Sequence, residues 1–321
     1  YRAMHTAQSG GEGSMEEEIL RRQLPSEWGG VIPSEYFMEE AEKIVELADG
    51  SGIMLRIMGG VATRLHCTGF EGFANRLARL GEGKQEFSDL DFMCYSKYRD
   101  KLKDFLKERF SYAKRKTTLS SAVSGRDIYF HPKLWWFADI FFDELRVANH
   151  PISFRGRLEL DSPTITVTDL LLEKLQMWEL FGAKDIKDVM LLLRAHDVAE
   201  GEEEAVNARY VAKLLARDWG FYYTLTCNLR RMVDLLQDSV KWAGQQELLR
   251  FLLNISEEEK ADLITKASKI LRYVDEEPKG FGWKMRAKIG TRQMWYNPVE
   301  SEETAPAFGV WRLREVFPEE E

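Results

Sequence analysis

The feature that most constrains the fold is a change in the spacing of apolar residues near residue 167. Before it, short apolar runs of strand length alternate with segments of helical period; after it, helical period dominates to about residue 275. This pattern predicts an α/β (α+β) domain over 34–167, a mixed sheet flanked by helices, and then a mainly helical domain over 168–321 with an aromatic and basic tail. Residues 1–33, polar and glycine-rich at their start, are expected to be a flexible leader or tag remnant plus a short N-terminal segment. A chain of 321 residues is long enough for two such units and a sizeable core.

Within the first unit, Ser34 is placed to cap a helix through "EYFMEEAEKIVELAD", stopped at Gly50. "IMLRIM" (53–58) predicts a buried strand that ends at Gly59-Gly60, where "VATRLHC" begins a helix. The stretch from Gly69 to Gly83 reads as a loop or broken helix. "LDFMC", "RDIYF" (126–130) and "LWWFADIFF" (134–142) predict three more strands, with a basic helix near 98–109 after the first of them. In the second unit Thr168 is a suitable cap for "DLLLEKLQMWELF", and "KDIKDVMLLLRAH" predicts a helix after Gly182. Further helices fit 204–240 and 256–275, while the stretch from Pro278 shows no clear period.

Composition removes several classes of function. Cys67, Cys94 and Cys227 stand far apart, which excludes a disulfide framework and a cysteine zinc site. No apolar run approaches the roughly eighteen residues of a membrane span, so a soluble, cytoplasmic protein without a membrane partner is expected. His66, His131, His150 and His196 show no metal-ligand spacing, and there is no Walker-type glycine loop. The net charge of −8 argues against a wholly basic surface. Residues 97–116, however, carry six more basic than acidic groups, either a solvated helix face or a patch for a phosphate-bearing ligand.

Against this background "FSDLDF" (87–92) stands out, because a strand-like run carries Asp89 and Asp91 at i and i+2, on one face. Two carboxylates that close repel one another unless a cation lies between them, and oxygen ligands suit Mg²⁺ or Mn²⁺. A third acid, Asp139, interrupts the apolar run "WWFADIFF", where an unpaired charge is costliest. Asp143 shares its face but lies farther along, where the strand runs into a turn. Three acids of this kind can clamp two ions for a displacement at phosphorus. Gly59 and Gly60, at a strand-to-helix turn, can let backbone N–H groups approach phosphate. Lys174 lies within the apolar stripe Leu170, Leu171, Leu175 and Trp178, where its ammonium needs a partner. Asp185 and Asp188 flank the buried stripe of the following helix.

The order strand, Gly-Gly, helix, "DLDF" and a later strand aspartate resembles the polymerase-β-like nucleotidyltransferase superfamily. More narrowly, "MGGVATRLHC", "FSDLDF" and "TVTDLLLEKLQMWELFGAKDIKDVMLLL" resemble the AbiEii-type nucleotidyltransferases, some of them toxins of toxin–antitoxin and phage-defence systems. The resemblance covers about residues 50–195. It implies a nucleotidyltransferase-type sheet, NTP as substrate and Mg²⁺ or Mn²⁺ as cofactor. Gly59 and Gly60 would cradle phosphate, Asp89, Asp91 and Asp139 would bind metal, and Lys174 with Asp185 or Asp188 would bind nucleotide. An antitoxin-like protein partner is implied as well. The chain has Gly-Gly where many members of the superfamily have Gly-Ser. It also has a long insertion, "GFEGFANRLARLGEGKQE", before Asp89, in which Arg76 and Arg79, with Arg64 just before it, can reach phosphates.

The expected reaction is transfer of a nucleoside monophosphate from an NTP to an acceptor hydroxyl with release of pyrophosphate. RNA, a protein and a small molecule all fit as acceptor, and the basic stretch tilts slightly toward RNA. The alternatives are a non-catalytic nucleotide- or RNA-binding regulatory module, and a purely structural role in which Asp89 and Asp139 pair with arginines such as Arg56 or Arg126.

Overall fold

A computed structural model of the chain describes residues 24–115, 125–146, 148–178, 181–238 and 250–298. The leader up to residue 23 and the end of the tail from residue 299 lie outside the described residues. Four strands form the centre of a mixed sheet: β1 (Leu55–Met58), β2 (Leu90–Cys94), β4 (Arg126–Phe130) and β5 (Phe137–Phe142), with β3 (Ala113–Lys114) at one edge. The spatial order is β1-β2-β5-β4-β3. Two short strands, β6 (Glu144–Leu145) and β7 (Ile152–Ser153), extend the sheet to seven. Among the described strands of this sheet the β2–β5 pair is parallel and the other pairings are antiparallel, with an isolated parallel bridge from Ile57 of β1 to Thr164.

Helix α1 (Ser34–Gly50) packs its buried stripe Phe37, Ala41, Ile44, Val45 and Ala48 beneath the sheet. Its cap differs from expectation. Pro33 precedes the first turn, and the Ser34 hydroxyl reaches instead to Glu86 Oε2 at 2.7 Å. After β1 the chain turns at once into α2 (Gly59–His66); the insertion that follows contains one helix, α3 (Glu71–Leu77), and then turns. The basic helix is α4 (Arg99–Phe110), and its Arg99 joins Lys114 in pairing with the buried Asp127, at 2.9 and 2.7 Å.

The helical part opens with α5 (Val167–Leu175), capped by Thr166 rather than Thr168: the Thr166 hydroxyl accepts the Asp169 N–H at 3.2 Å. Helix α5 stops at Leu175, so Trp178 lies beyond it. Helix α6 (Ala183–Ala195) starts after Gly182, as the sequence predicts. A short parallel pair that the periodicity does not reveal follows, β8 (Asp197–Ala199) with β9 (Ala205–Asn207). Then come α7 (Ala208–Leu215), α8 (Trp219–Gln237), α9 (Glu257–Glu276) and α10 (Phe281–Ile289), the last within the tail that has no clear period. One continuous cluster of buried side chains runs from Phe37 through the sheet to Val274 on α9. Among the described residues no helix is long and apolar enough to cross a membrane.

The entry to α5 depends on a buried ion pair. Arg157 Nε donates to both Asp169 oxygens at 2.7 and 2.8 Å, its Nη2 reaches Glu202 at 2.9 Å, and its guanidinium lies 3.9 Å from the Tyr210 ring centre. Removing one partner of such a pair strands the other charge in the core. Asp169→Ala is therefore expected to destabilise the protein by about 3–5 kcal/mol in urea unfolding.

Candidate active site

The candidate site is built where β1 ends and β2 and β5 begin, against α2, α5 and α6. In the parallel pairing Asp91 lies directly opposite Asp139, and on its other side Asp91 pairs with Met58, the residue before the glycines. Strand alternation sends Leu90 and Phe92, both fully buried, to the opposite face. Asp89 sits one residue before β2 rather than within it, half-buried, and accepts a hydrogen bond from Ser88 Oγ at 3.0 Å. Asp139 is buried and accepts from Arg126 Nη1 at 2.8 Å. Half of the structural alternative is thus present, while Arg56 pairs elsewhere, with Asp49 at 3.0 Å. Asp143, left-handed at φ 61° in the turn after β5, accepts the Ser96 N–H instead.

The glycine pair makes room for charged side chains. Gly59 has φ +72°, and a Cβ there would collide with Asp91 Oδ2. A Cβ on Gly60 would lie 2.5 Å from Arg79 Cζ. The expected phosphate cradle is corrected on one point: the Gly59 N–H already donates to Glu173 Oε2, at 3.1 Å. Glu173 is a site residue that the sequence reading missed. Beside Lys174 on α5, it read as an ordinary helix acid.

From Glu173 an ion network runs inward. Lys174 Nζ lies 3.0 Å from Glu173 Oε1 and 3.4 Å from Asp188 Oδ2, and Asp188 accepts both Arg79 Nε and Nη2 at 2.7 and 3.1 Å. Burial alone would pull the Lys174 ammonium down, but the Glu173 and Asp188 carboxylates outweigh it and hold it above the usual lysine range. Burial would likewise raise Asp188, yet Arg79 and Lys174 hold it below its ordinary value. Of the two acids left open in the sequence, Asp188 is the ion-paired one. Asp185 is buried at the start of α6, which raises its carboxyl despite Lys174 and Lys184.

Asp91 is under strong electrostatic stress. Burial, and then the carboxylates of Asp89, Asp139 and Glu173, push its pKa well above the usual carboxylate range, with Lys174 opposing. Asp91, Glu173, Lys174 and Asp185 line a cleft of about 1070 Å³. Seven basic and four acidic side chains line it, and Lys84, Lys184 and Arg250 among them are exposed. Gly60 and Arg64 do not line it. They border a crevice of about 10 Å³ behind Arg79, and Arg64 faces Glu71 and Glu86 at 3.6 and 3.5 Å. Arg76 is held by Glu259 and by the Asn254 carbonyl.

The donor set around Asp91 is all oxygen, which fits Mg²⁺ or Mn²⁺, and its surplus of like charge is what a divalent cation relieves. The three aspartates do not, however, bring ligand atoms within 4.8 Å of one another; among the described residues the group of three that does so is His66, His196 and Glu204. Arg126 holds one Asp139 oxygen, Oδ2, so an ion shared by all three aspartates would either compete with that pair or use Oδ1.

No protein-family model, curated protein or solved structure matches the chain.

A carboxyl whose pKa is raised on folding binds its proton more tightly in the folded protein than in the unfolded chain. The stability it contributes is therefore present at low pH and lost as pH rises through the raised value. Without divalent metal, Asp91→Asn is expected to flatten that fall in stability above the ordinary carboxylate range, read from urea unfolding at a series of pH values. Gly59→Ala, strained by its φ and by Asp91, is expected to cost about 1–3 kcal/mol in the same assay.

Proposed function

We propose that the protein is a metal-dependent nucleotidyltransferase on a nucleotidyltransferase-type sheet, moving a nucleoside monophosphate from an NTP to an acceptor hydroxyl. The observation that carries this reading is the Asp91–Asp139 rung of the parallel β2–β5 pair, of which Asp91, though not Asp139, lines a cleft where basic side chains outnumber acidic ones. It extends the order of motifs by which the sequence resembles the polymerase-β-like superfamily and its AbiEii-type members.

In this reading Asp89 and Asp91 would hold the metal, and Asp139, whose Oδ2 pairs with Arg126, would complete the set. A bound Mg²⁺ neutralises charge at the phosphates and makes the acceptor hydroxyl a better nucleophile. The acceptor hydroxyl loses its proton to solvent as its oxygen bonds to the α-phosphorus, the bond from that phosphorus to the bridging oxygen of the β-phosphate breaks, and pyrophosphate leaves. Lys174, with Lys84, Lys184 and Arg250 along the cleft, offsets the triphosphate charge. Lys174 already has Glu173 and Asp188 as partners, which keep it charged and aimed. Glu173 must yield the Gly59 N–H for a phosphate oxygen to reach it.

One observation favours a second reading. Asp139 Oδ2 is paired to Arg126 and the Gly59 N–H to Glu173, so two groups that would meet metal and phosphate already have partners, as suits a module that binds nucleotide or RNA without turnover.

Incubation with each α-labelled NTP, Mg²⁺ and a mixed RNA acceptor separates the two. Nucleotidyl transfer is expected in the wild type, and Asp91→Ala is expected to lower its rate by about a hundredfold or more, since losing even a group that only supports a ligand costs tenfold to a hundredfold. Transfer that survives undiminished in Asp91→Ala sinks the assignment.

A further inference from the structure

His66 closes α2, His196 follows the last turn of α6, and Glu204 lies just before β9. They are far apart in sequence, so the histidines show no metal-ligand spacing there, and it is the fold that brings the three together. His66 Nδ1 lies 3.1 Å and His196 Nε2 3.4 Å from the same oxygen, Glu204 Oε2. The far nitrogen of each ring is already committed. His66 Nε2 lies 2.9 Å from the Ile165 carbonyl oxygen, and His196 Nδ1 lies 2.9 Å from the Leu192 carbonyl oxygen.

A carbonyl oxygen can only accept, so each of those nitrogens carries the ring proton. In the neutral rings the lone pairs therefore stand on His66 Nδ1 and His196 Nε2, and both face a carboxylate oxygen. With both rings neutral, the three atoms that converge are all acceptors. The committed N–H groups are also what fixes imidazole orientation in metal sites, where the second ring nitrogen donates to a carbonyl or carboxylate. Thr164 Oγ1 at 2.6 Å and Asp161 Oδ2 at 3.6 Å stand on the same protonated side of His66.

The spacing fits a tetrahedral ion. With metal–ligand bonds of 2.0–2.1 Å, two ligand atoms of a tetrahedral zinc site stand about 3.3 Å apart, beside the 3.1 and 3.4 Å found here. All three ligand atoms lie within 4.8 Å of one another. Both rings are buried, whereas the Glu204 side chain is 65% exposed.

We infer that His66, His196 and Glu204 form a binding site for a divalent transition-metal ion of the Zn²⁺ class, separate from the carboxylates around Asp91. Imidazole nitrogen selects such ions over Mg²⁺. The ion would tie the end of α2 to the end of α6 and to the loop before β9. Because α2 begins at Gly59 beside Asp91, it would brace that helix from its far end.

The test uses the full chain, stripped with chelator and titrated with Zn²⁺ alone by calorimetry, then with Co²⁺ read by its visible absorption. Wild type is expected to bind one equivalent of Zn²⁺ and to give the intense visible bands of a four-coordinate Co²⁺ ion. Glu204→Gln keeps the size of an exposed side chain and so tests the site without threatening the core. It is expected to weaken Zn²⁺ binding by at least the roughly tenfold that loss of a merely supporting partner costs. His196→Gln is expected to weaken it further, and circular dichroism checks that the variant remains folded. Failure of the wild type to bind a stoichiometric equivalent overturns the inference and leaves His66 and Glu204 as an ordinary proton-sharing pair. Binding unchanged in Glu204→Gln overturns it equally.

Discussion

The parallel pairing of β2 with β5 sets Asp91 opposite Asp139 on one rung of the sheet, and much of the surrounding arrangement answers to that placement. Two strand carboxylates side by side, with Asp89 at the strand entry and Glu173 arriving from α5, concentrate negative charge where water is scarce. The neighbouring elements supply partial relief. Arg126 reaches Asp139 from β4, Lys174 reaches Glu173 and Asp188 from α5, and Arg79 closes the network on Asp188 from the insertion. Gly59 is what allows α2 to start so close, because any side chain there would occupy the space of the Asp91 carboxylate.

Much of this could be read from the sequence, for identifiable reasons. An aspartate inside an apolar strand is visible without a structure, because burying an unpaired charge is so costly; Asp91 and Asp139 were legible on that ground. Lys174 was legible because it interrupts an apolar helix stripe. The β2 and β4 boundaries match "LDFMC" and "RDIYF", where apolar and β-favouring residues run without interruption. Features created by tertiary approach were harder to see. Glu173 looks like any surface acid until α5 is docked against the Gly59 N–H. Arg79 looks like a solvated arginine until the insertion folds over Gly60. The Arg126–Asp139 pair was visible only as one alternative among several.

Caps and histidines show the same limit. Thr166 and Thr168 are equally good caps locally, and Thr166 has the role because Arg157 fixes Asp169 beneath it. His66 and His196 carry no spacing signal because packing of α2 against α6, rather than a single element, brings them together. Two ion sites of different chemistry then share one helix. If both proposals hold, oxygen donors would hold an ion beside its first turn and His66 would help hold another at its last, anchoring the helix at both ends.

The central claim is that the carboxylates around Asp91 form a divalent-metal site through which the cleft takes a nucleoside triphosphate. The most direct measurement is calorimetric titration of the protein with a non-hydrolysable NTP, with and without Mg²⁺, beside a chain carrying Asp89→Ala and Asp91→Ala. The account predicts nucleotide binding that requires Mg²⁺ in the wild type and is lost in the double variant. Nucleotide binding indifferent to Mg²⁺ and to both substitutions would contradict it, and would leave Asp91 and its neighbours as structural charge.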